Sequence, residues 1–329
     1  MLENILWIVV GLVGLYFGGD WLVKGAARFA NTLGISPIVI GLTVVAYGTS
    51  MPELIVSLRA AIEGNADIST GNIVGSNIAN IGLILGVSAI IFPMVVQNQF
   101  LRREMPIMIG VSVLLLFLSQ NGVLDRAAGL LLFAGAIVYT IVAYVLAKRE
   151  GAALIPEIEE FEQAGGLKTK SPIPVDLLYI AGGIVVLMIG ADRLVFGAVN
   201  IARAIGVSEL AIGITLVAVG TSLPEFATSL IAAFKKESDI AIGNVVGSNI
   251  FNILAILGIS SAITPINVNP QLLRVDMFVM IGFAILLTVF CIERKLTRWE
   301  GAILLIAYVA FVIYAFSITP AVPIALVHY

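Results

Sequence analysis

Two glutamates stand at positions where a membrane-spanning chain rarely carries acids. Glu53 and Glu225 lie in the middle of long apolar stretches, each at the end of a Gly-Thr-Ser-x-Pro-Glu motif. An ionised group at membrane depth costs about 3 kcal/mol unless it is paired. No lysine or arginine falls at the same depth to pair with either glutamate. The sequence therefore predicts that each carboxylate holds a proton or a bound cation.

Hydroxyl groups and freed backbone carbonyls surround each glutamate. The proline one residue before it removes a backbone donor and clashes with the carbonyl four residues earlier, so each helix must kink or break there. Irregular backbone at membrane depth is tolerated only where it is buried in protein or lines a cavity. Hydroxyls three and four residues before each glutamate share its helical face. These hydroxyls belong to Thr49, Ser50, Thr221 and Ser222.

A second pair of segments adds neutral oxygen atoms. Residues 71–80 and 243–252 both read Gly-Asn-x-x-Gly-Ser-Asn-Ile-x-Asn, and the serine and the last asparagine of each lie on one helical face. We interpret the other asparagines of these segments as packing or hydrogen-bonding groups. Every candidate ligand is then an oxygen, which suits Ca²⁺ or Na⁺ and disfavours zinc or copper. The added candidates are Ser76, Asn80, Ser248 and Asn252.

The charge of this group of residues predicts a mechanism. Two carboxylates among neutral oxygens carry a charge of −2, which is costly in a low-dielectric setting. One Ca²⁺, two Na⁺ or two H⁺ neutralise that charge, and a third Na⁺ makes it +1. If the moving elements cross the membrane only when the charge is compensated, one load must be exchanged for another. The residues therefore predict an antiporter.

The composition excludes the main classes of soluble protein. Of 329 residues, 60% are hydrophobic and 12% are charged, whereas a soluble domain is roughly half apolar and a quarter charged. A net charge of −3 with scattered basic residues leaves no face for nucleic acid. A single cysteine, Cys291, and a single histidine, His328, exclude cysteine clusters and histidine-ligated metal sites inside the membrane. We expect a transporter that is not an enzyme and has no cofactor.

Charge-poor stretches predict an all-α integral membrane protein with ten transmembrane helices. A long polar segment between the fifth and the sixth stretch is interpreted as a linker. The stretches fall near residues 2–19, 37–62, 68–93, 105–121, 127–147, 175–191, 209–234, 240–265, 277–292 and 299–318.

The chain also repeats itself. After a shift of 172 residues, Gly34–Pro93 matches Gly206–Pro265 at 33 of 60 positions without a gap. Each half then holds five spans, and because five is odd the second half must enter the membrane from the opposite side. This predicts two inverted five-helix repeats, residues 1–147 and 175–329, joined by a linker at 148–174. We expect the glycine-bearing first and sixth spans to slide over the others.

The lysines and arginines predict an orientation. With the N-terminus outside, thirteen of the 18 fall on the cytoplasmic side and five on the opposite side. We therefore expect a multi-pass protein of the inner (cytoplasmic) cell membrane, with both termini outside and a cytoplasmic linker. Since the symmetry lies within one chain, we expect it to act as a monomer in the bilayer, with Ca²⁺ and Na⁺ as its substrates.

The duplicated motifs resemble those of the calcium/cation antiporter superfamily, and nearly the whole chain resembles prokaryotic sodium/calcium exchangers. The resemblance implies exchange of Ca²⁺ for Na⁺ by alternating access, with the cations bound between the two glutamates. The ligands it implies are Glu53, Glu225, Thr49, Ser50, Thr221, Ser222, Ser76, Ser248, Asn80, Asn252 and the backbone carbonyls of Ala46 and Ala218.

Other functions stay open at this point. Some relatives, including potassium-dependent ones, carry aspartate where this chain has Asn252, so its asparagine resembles potassium-independent members. Proton-coupled relatives usually have a different motif around the glutamate, which favours sodium. The runner-up is exchange of H⁺ for Ca²⁺ or for another divalent ion such as Mn²⁺. A cation channel could use the same oxygen ligands, although channels usually place their filters on an oligomeric axis.

Overall fold

The computed structural model describes residues 2–163, 172–205 and 218–318, without the side chains of residues 147–163, 218 and 316–318. The α-helices are α1 (Leu2–Leu33), α2 (Pro37–Ile40), α3 (Ala46–Thr49), α4 (Met51–Ile62), α5 (Ala66–Ala79), α6 (Gly86–Ile91), α7 (Met105–Leu118), α8 (Arg126–Gln163), α9 (Ile173–Ala204), α10 (Ala218–Thr221), α11 (Leu223–Phe234), α12 (Ser238–Phe251), α13 (Gly258–Ile263), α14 (Met277–Phe290) and α15 (Arg298–Ile318). Helix α8 continues through the first part of the predicted linker, to Gln163, whereas residues 164–171 of that linker and the start of the seventh predicted span lie outside the described residues.

Short irregular elements join these helices. π-Helical turns cover Gly41–Val45, Asn80–Leu85, Phe100–Glu104, Asn252–Leu257 and Leu272–Asp276, and a 3₁₀ turn covers Cys291–Glu293. The strands are β1 (Met94–Val95), β2 (Val123–Leu124), β3 (Ile266–Asn267) and β4 (Lys295–Leu296). β1 pairs with β4 and β2 with β3, both antiparallel, so each pair joins the first half of the sequence to the second.

Seven helices in the described part of the chain are long and apolar enough to cross a membrane. Pro37–Thr49 and Met51–Ile62 together make an eighth candidate, bent by 48° at their junction. These helices confirm an all-helical membrane architecture, whereas the count of ten and the inversion of the repeats stay predictions. The seven are Leu2–Leu33, Ala66–Ile91, Arg126–Leu146, Ile173–Ala204, Ser238–Ile263, Leu272–Glu293 and Arg298–Ala315.

The two helices that carry the Gly-Thr-Ser-x-Pro-Glu motifs are interrupted, as the sequence predicts. α3 ends at Thr49 and α4 begins at Met51, with Ser50 between them. Pro52 lies in the first turn of α4, where its missing N–H costs no helical hydrogen bond. Ser222 separates α10 from α11 in the same way. The sequence thus starts a new helix just before each glutamate.

A seam of glycines joins α1 to α9. A Cβ atom on Gly11 would lie 2.5 Å from the backbone nitrogen of Leu194, and one on Gly25 would lie 2.8 Å from the Cβ of Tyr179, so the two helices run antiparallel. Both helices continue well past the predicted spans at 2–19 and 175–191, because charged residues end a lipid-facing stretch without ending a helix. At 32 residues each is about 48 Å long, longer than the hydrocarbon core.

The centre of the molecule is formed by the helices that carry the Gly-Asn motifs. All of the most apolar window of Ser238–Ile263 and 72% of that of Ala66–Ile91 are buried, against 28% for α1 and for α9. Gly247 allows this packing, since a Cβ there would lie 2.5 Å from the carbonyl oxygen of Leu42. The polar residues of the motifs therefore sit inside protein rather than in lipid.

Candidate cation-binding site

The two glutamates are buried, and each is hydrogen-bonded by the other half of the chain. Glu53 and Glu225 are both 1% exposed. The Ser222 hydroxyl donates to Oε1 of Glu53 at 2.9 Å, and the Ser50 hydroxyl donates to Oε1 of Glu225 at 2.8 Å. Each serine lies at the break of its own helix, so each broken helix supplies a donor to the glutamate of the other. The four side chains thus tie the two halves together.

The serines of the central helices extend this arrangement. The Ser76 hydroxyl lies 3.3 Å from that of Ser222, and the Ser248 hydroxyl lies 3.0 Å from that of Ser50. The Ser248 hydroxyl also lies 3.5 Å from the carbonyl oxygen of Ala46, to which it donates. The structure therefore brings the predicted serines and the Ala46 carbonyl together around the two carboxylates.

The two threonines are hydrogen-bonded to Asn72 and Asn244, which the sequence analysis interprets as packing or hydrogen-bonding groups rather than as ligands. The Thr49 hydroxyl donates to Oδ1 of Asn244 at 3.0 Å. The amide nitrogen of Asn244 donates to the Ser229 hydroxyl at 2.9 Å and to the Glu225 carbonyl at 3.3 Å. Asn244 thereby braces the backbone of the glutamate. The equivalent contacts in the other half join Thr221, Asn72, Ser57 and the Glu53 carbonyl.

Asn77 and Asn249 form a reciprocal clasp at the centre. Each donates its amide nitrogen to the other's backbone carbonyl at 3.2 Å. The side-chain oxygen of Asn249 accepts from the Asn80 amide at 2.9 Å, and that of Asn77 accepts from the Asn252 amide at 3.0 Å. The amide nitrogens of Asn80 and Asn252 are therefore turned toward the clasp, which leaves their oxygens free for another partner.

Four buried oxygens in this region have no hydrogen-bond partner among the described residues. They are Oε2 of Glu53, Oε2 of Glu225, Oδ1 of Asn80 and Oδ1 of Asn252. The turn that begins with Asn252 packs on α4, and the turn that begins with Asn80 packs on α11, so each free amide oxygen belongs to a helix packed against a glutamate-bearing helix. Buried oxygens are seldom left without a partner, and a cation would supply one.

The predicted polar site residues are buried together at the centre of the described part of the chain. Ten of the twelve are polar side chains of this buried network, and the Ala46 carbonyl faces Ser248. Ala218 begins α10, but its contacts lie outside the described residues. No cluster of three or more histidine, cysteine, aspartate or glutamate side chains suited to a metal occurs in residues 2–163, 172–205 and 218–318. A cation held here would rely on two carboxylates and on neutral oxygens.

Several polar groups of the interior escaped the sequence interpretation. Ser57 and Ser229 are not among the predicted site residues. Both halves have serine at this position, and that identity is the signal that could have identified them. Glu104 is 1% exposed, paired with Arg103 and hydrogen-bonded by the Tyr139 hydroxyl at 2.9 Å. Glu53 and Glu225 are thus not the only buried acids. Glu104 carries no such signal, because its neighbouring arginine makes it resemble a surface charge.

A family model for the sodium/calcium exchanger proteins matches residues 3–145 and again residues 175–317, two stretches that differ by the same offset of 172 residues. The chain belongs to the sodium/calcium exchanger family. It is therefore a membrane antiporter and not an enzyme, as the sequence predicts.

Individual relatives and solved structures agree with this family. The sodium/calcium exchanger MaX1 of Methanosarcina acetivorans is 36% identical, over 96% of this chain and 99% of its own length. The inner membrane protein YrbG of Escherichia coli (strain K12) is 35% identical, over 88% of each chain. A structure of the sodium-calcium exchanger NCX_Mj soaked with Na⁺ and Ca²⁺ is similar with a TM-score of 0.81 and 32% identity, over 95% of this chain and 98% of that one.

Proposed function

We propose that this exchanger moves Ca²⁺ against Na⁺ by alternating access, with the cations bound between Glu53 and Glu225. The observation that carries the proposal is the set of four buried oxygens without hydrogen-bond partners, two from carboxylates and two from amides. Hard cations prefer such ligands, and Ca²⁺ takes about 6–8 oxygens, partly from bidentate carboxylates. The relatives MaX1 and NCX_Mj are sodium/calcium exchangers, which supports the choice of Na⁺ and Ca²⁺.

The remaining ligands come from the hydroxyls and carbonyls around the glutamates. The serines that bridge the two halves turn to the cation when it binds, because a hydroxyl has acceptor lone pairs as well as a donor. The proposed set is Glu53, Glu225, Thr49, Ser50, Thr221, Ser222, Ser76, Ser248, Asn80, Asn252 and the carbonyls of Ala46 and Ala218.

Charge compensation couples the two ions. One Ca²⁺ or two Na⁺ balance the charge of −2 on the two carboxylates, and both loads therefore lower the cost of burying them. Neither ion leaves unless the other replaces it, since the doubly charged site is expensive to move through a low-dielectric interior. This requirement makes the protein an antiporter rather than a channel.

The proposed architecture is ten spans in two inverted repeats, residues 1–147 and 175–329, with a linker at 148–174. Three observations support the inversion. Helix α1 packs antiparallel on its counterpart α9, each short strand of one half pairs with a strand of the other half, and the family model matches the chain twice. We place both termini outside and the linker in the cytoplasm, from the distribution of lysine and arginine. The relative YrbG is an inner membrane protein, which supports the inner membrane, and the internal symmetry supports a functional monomer.

The test is ⁴⁵Ca²⁺ uptake into proteoliposomes loaded with Na⁺, beside a matched set that carries only a pH gradient. We expect uptake when Na⁺ runs outward and none with the pH gradient alone. Dependence of the Na⁺-driven uptake on membrane voltage would indicate a third Na⁺. Vesicles that contain Glu53→Gln are the control for leakage.

Exchange of H⁺ for Ca²⁺ is the second candidate, because the free Oε2 atoms of the glutamates would accept a proton as readily as a cation. Uptake driven by the pH gradient alone would establish this alternative and would make Glu53 and Glu225 proton carriers. Uptake driven by neither gradient would refute both candidates.

A further inference from the structure

The helices α1 and α9 pack on only one of the two glutamate-bearing helices. Both pack on α11, whereas in the described part of the chain neither packs along α4, the counterpart of α11. The difference also appears in exposure. Ala227 of α11 is 9% exposed, and its counterpart on α4, Ile55, is 56% exposed. The structure therefore places the α1–α9 pair against α11 and away from α4.

Helix α1 packs closely on α11 at Gly19. A Cβ atom on Gly19 would lie 2.5 Å from Cδ1 of Ile231, the flexible end of that side chain, and 3.5 Å from the backbone oxygen of Ala227, so α1 and α11 are in close contact at this glycine. The corresponding position on α9 is Ala191, and the residue equivalent to Ile231 on α4 is Arg59, a charged side chain that is 77% exposed. The same contact is not available on the other side.

An ion pair fastens α1 to the end of α11. The Lys235 ammonium lies 2.5 Å from Oδ1 of Asp20, and the two side chains are 27% and 15% exposed. Lys24 binds the other oxygen of Asp20 at 2.8 Å, but from within α1. Only the Lys235 contact crosses from α1 to α11.

The counterparts of Asp20 and Lys235 at the offset of 172 residues carry like charges. Asp192 corresponds to Asp20, but Glu63 corresponds to Lys235. Asp192 pairs with its neighbour Arg193, and Glu63 pairs with Arg59 within α4. Movement of the α1–α9 pair onto α4 would thus bring two carboxylates together where the observed placement has a lysine and an aspartate.

We propose that the Asp20–Lys235 ion pair is a latch that holds the α1–α9 pair against α11 and biases the exchanger toward the conformation closed at the Lys235 face. In the proposed orientation this is the cytoplasmic face. The inference rests on alternating access, but it concerns the balance between two conformations rather than the ions that are exchanged. A partly buried pair of this kind shifts such a balance about fivefold.

The test uses cysteine labelling in a Cys291→Ala parent that carries Ala227→Cys beneath α1 or, separately, Ile55→Cys on α4. A membrane-impermeant maleimide is applied from each side of the proteoliposomes. Lys235→Gln should raise labelling of Ala227→Cys about fivefold and lower that of Ile55→Cys. Lys24→Gln is the matched control, since it removes a partner of the same carboxylate without crossing between helices, and its rate should stay within twofold of the parent.

A second variant tests the latch from the opposite side. Glu63→Lys places a lysine opposite Asp192 and should move both labelling rates in the same directions as Lys235→Gln, whereas Glu63→Gln should move them less. Equal rates in the parent, Lys235→Gln and Lys24→Gln would overturn the latch, as would labelling of Glu63→Lys that matches Glu63→Gln. Because labelling needs no ion flux, these results are independent of which ions the protein exchanges.

Discussion

The helices α4 and α11 carry equivalent glutamates but have different surroundings. At Glu53 and Glu225 the contacts of the two halves match almost atom for atom, with one serine bond from the opposite half to each carboxylate. At their far ends the two helices diverge, because α1 and α9 cover α11 and leave α4 largely uncovered. The comparison separates two requirements. A cation site that serves both faces of the membrane needs symmetry, whereas any single conformation of a two-state transporter must be asymmetric.

The symmetry of the site would be broken most severely by removing one carboxylate. Glu53→Gln and Glu225→Gln keep the shape of the side chain but leave a charge of −1, which does not balance Ca²⁺. We expect each variant to lose at least about 100-fold in Na⁺-driven ⁴⁵Ca²⁺ uptake. Glu293→Gln, which changes an exposed acid, should leave uptake unchanged. Near-normal exchange by either glutamate variant would contradict the assigned site.

The central clasp should give the next largest effect. Asn77→Ala removes the acceptor of the Asn252 amide, so that amide is free to turn its nitrogen toward the site. We expect the Ca²⁺ concentration for half-maximal uptake to rise about tenfold, a usual penalty for losing a group that orients a metal ligand. Asn249→Ala should match it, and Asn200→Ala on α9 should not. A loss of total protein without a change in affinity would assign the clasp to folding alone.

The bridging serines provide a finer test of equivalence between the halves. Ser50→Ala and Ser222→Ala each remove one hydrogen bond to a carboxylate and one hydroxyl ligand. We expect apparent Ca²⁺ affinity to fall about fivefold in both, with maximal uptake retained. A large effect of one variant and none of the other would show that the cation sits closer to one glutamate.

The smallest predicted effect concerns the periphery. Ile231→Val deletes the methyl group that touches Gly19, and Ile55→Val deletes the same group from an exposed position on α4. We expect Ile231→Val to lower the free energy of unfolding by about 0.8 kcal/mol, and Ile55→Val to leave it nearly unchanged. Thermal unfolding of the two purified variants in detergent would measure the difference. Equal destabilisation would mean that α4 and α11 are packed alike.

Much of the architecture was predictable because a membrane imposes strong local rules. Apolar stretches locate spans, and a proline at N1 or N2 locates a break, as at Ser50 and Ser222. The first and sixth spans were predicted too short, since the charges at Asp20 and Asp192 end the charge-poor stretch while the helix continues. Charge marks where water begins, and helical propensity decides where a helix ends.

Sequence alone determined which residues are the candidate ligands, because the duplication of both motifs at an offset of 172 residues singles out the same polar positions twice. Only the tertiary structure decided how those residues are connected. Three contacts illustrate this, each between residues more than a hundred positions apart. Ser222 donates a hydrogen bond to Glu53, Asn249 accepts one from the amide nitrogen of Asn80 and so leaves the Asn80 oxygen free, and Lys235 forms an ion pair with Asp20. Spacing along one helix fixes which side chains share a face, but which helix lies opposite that face is decided by packing.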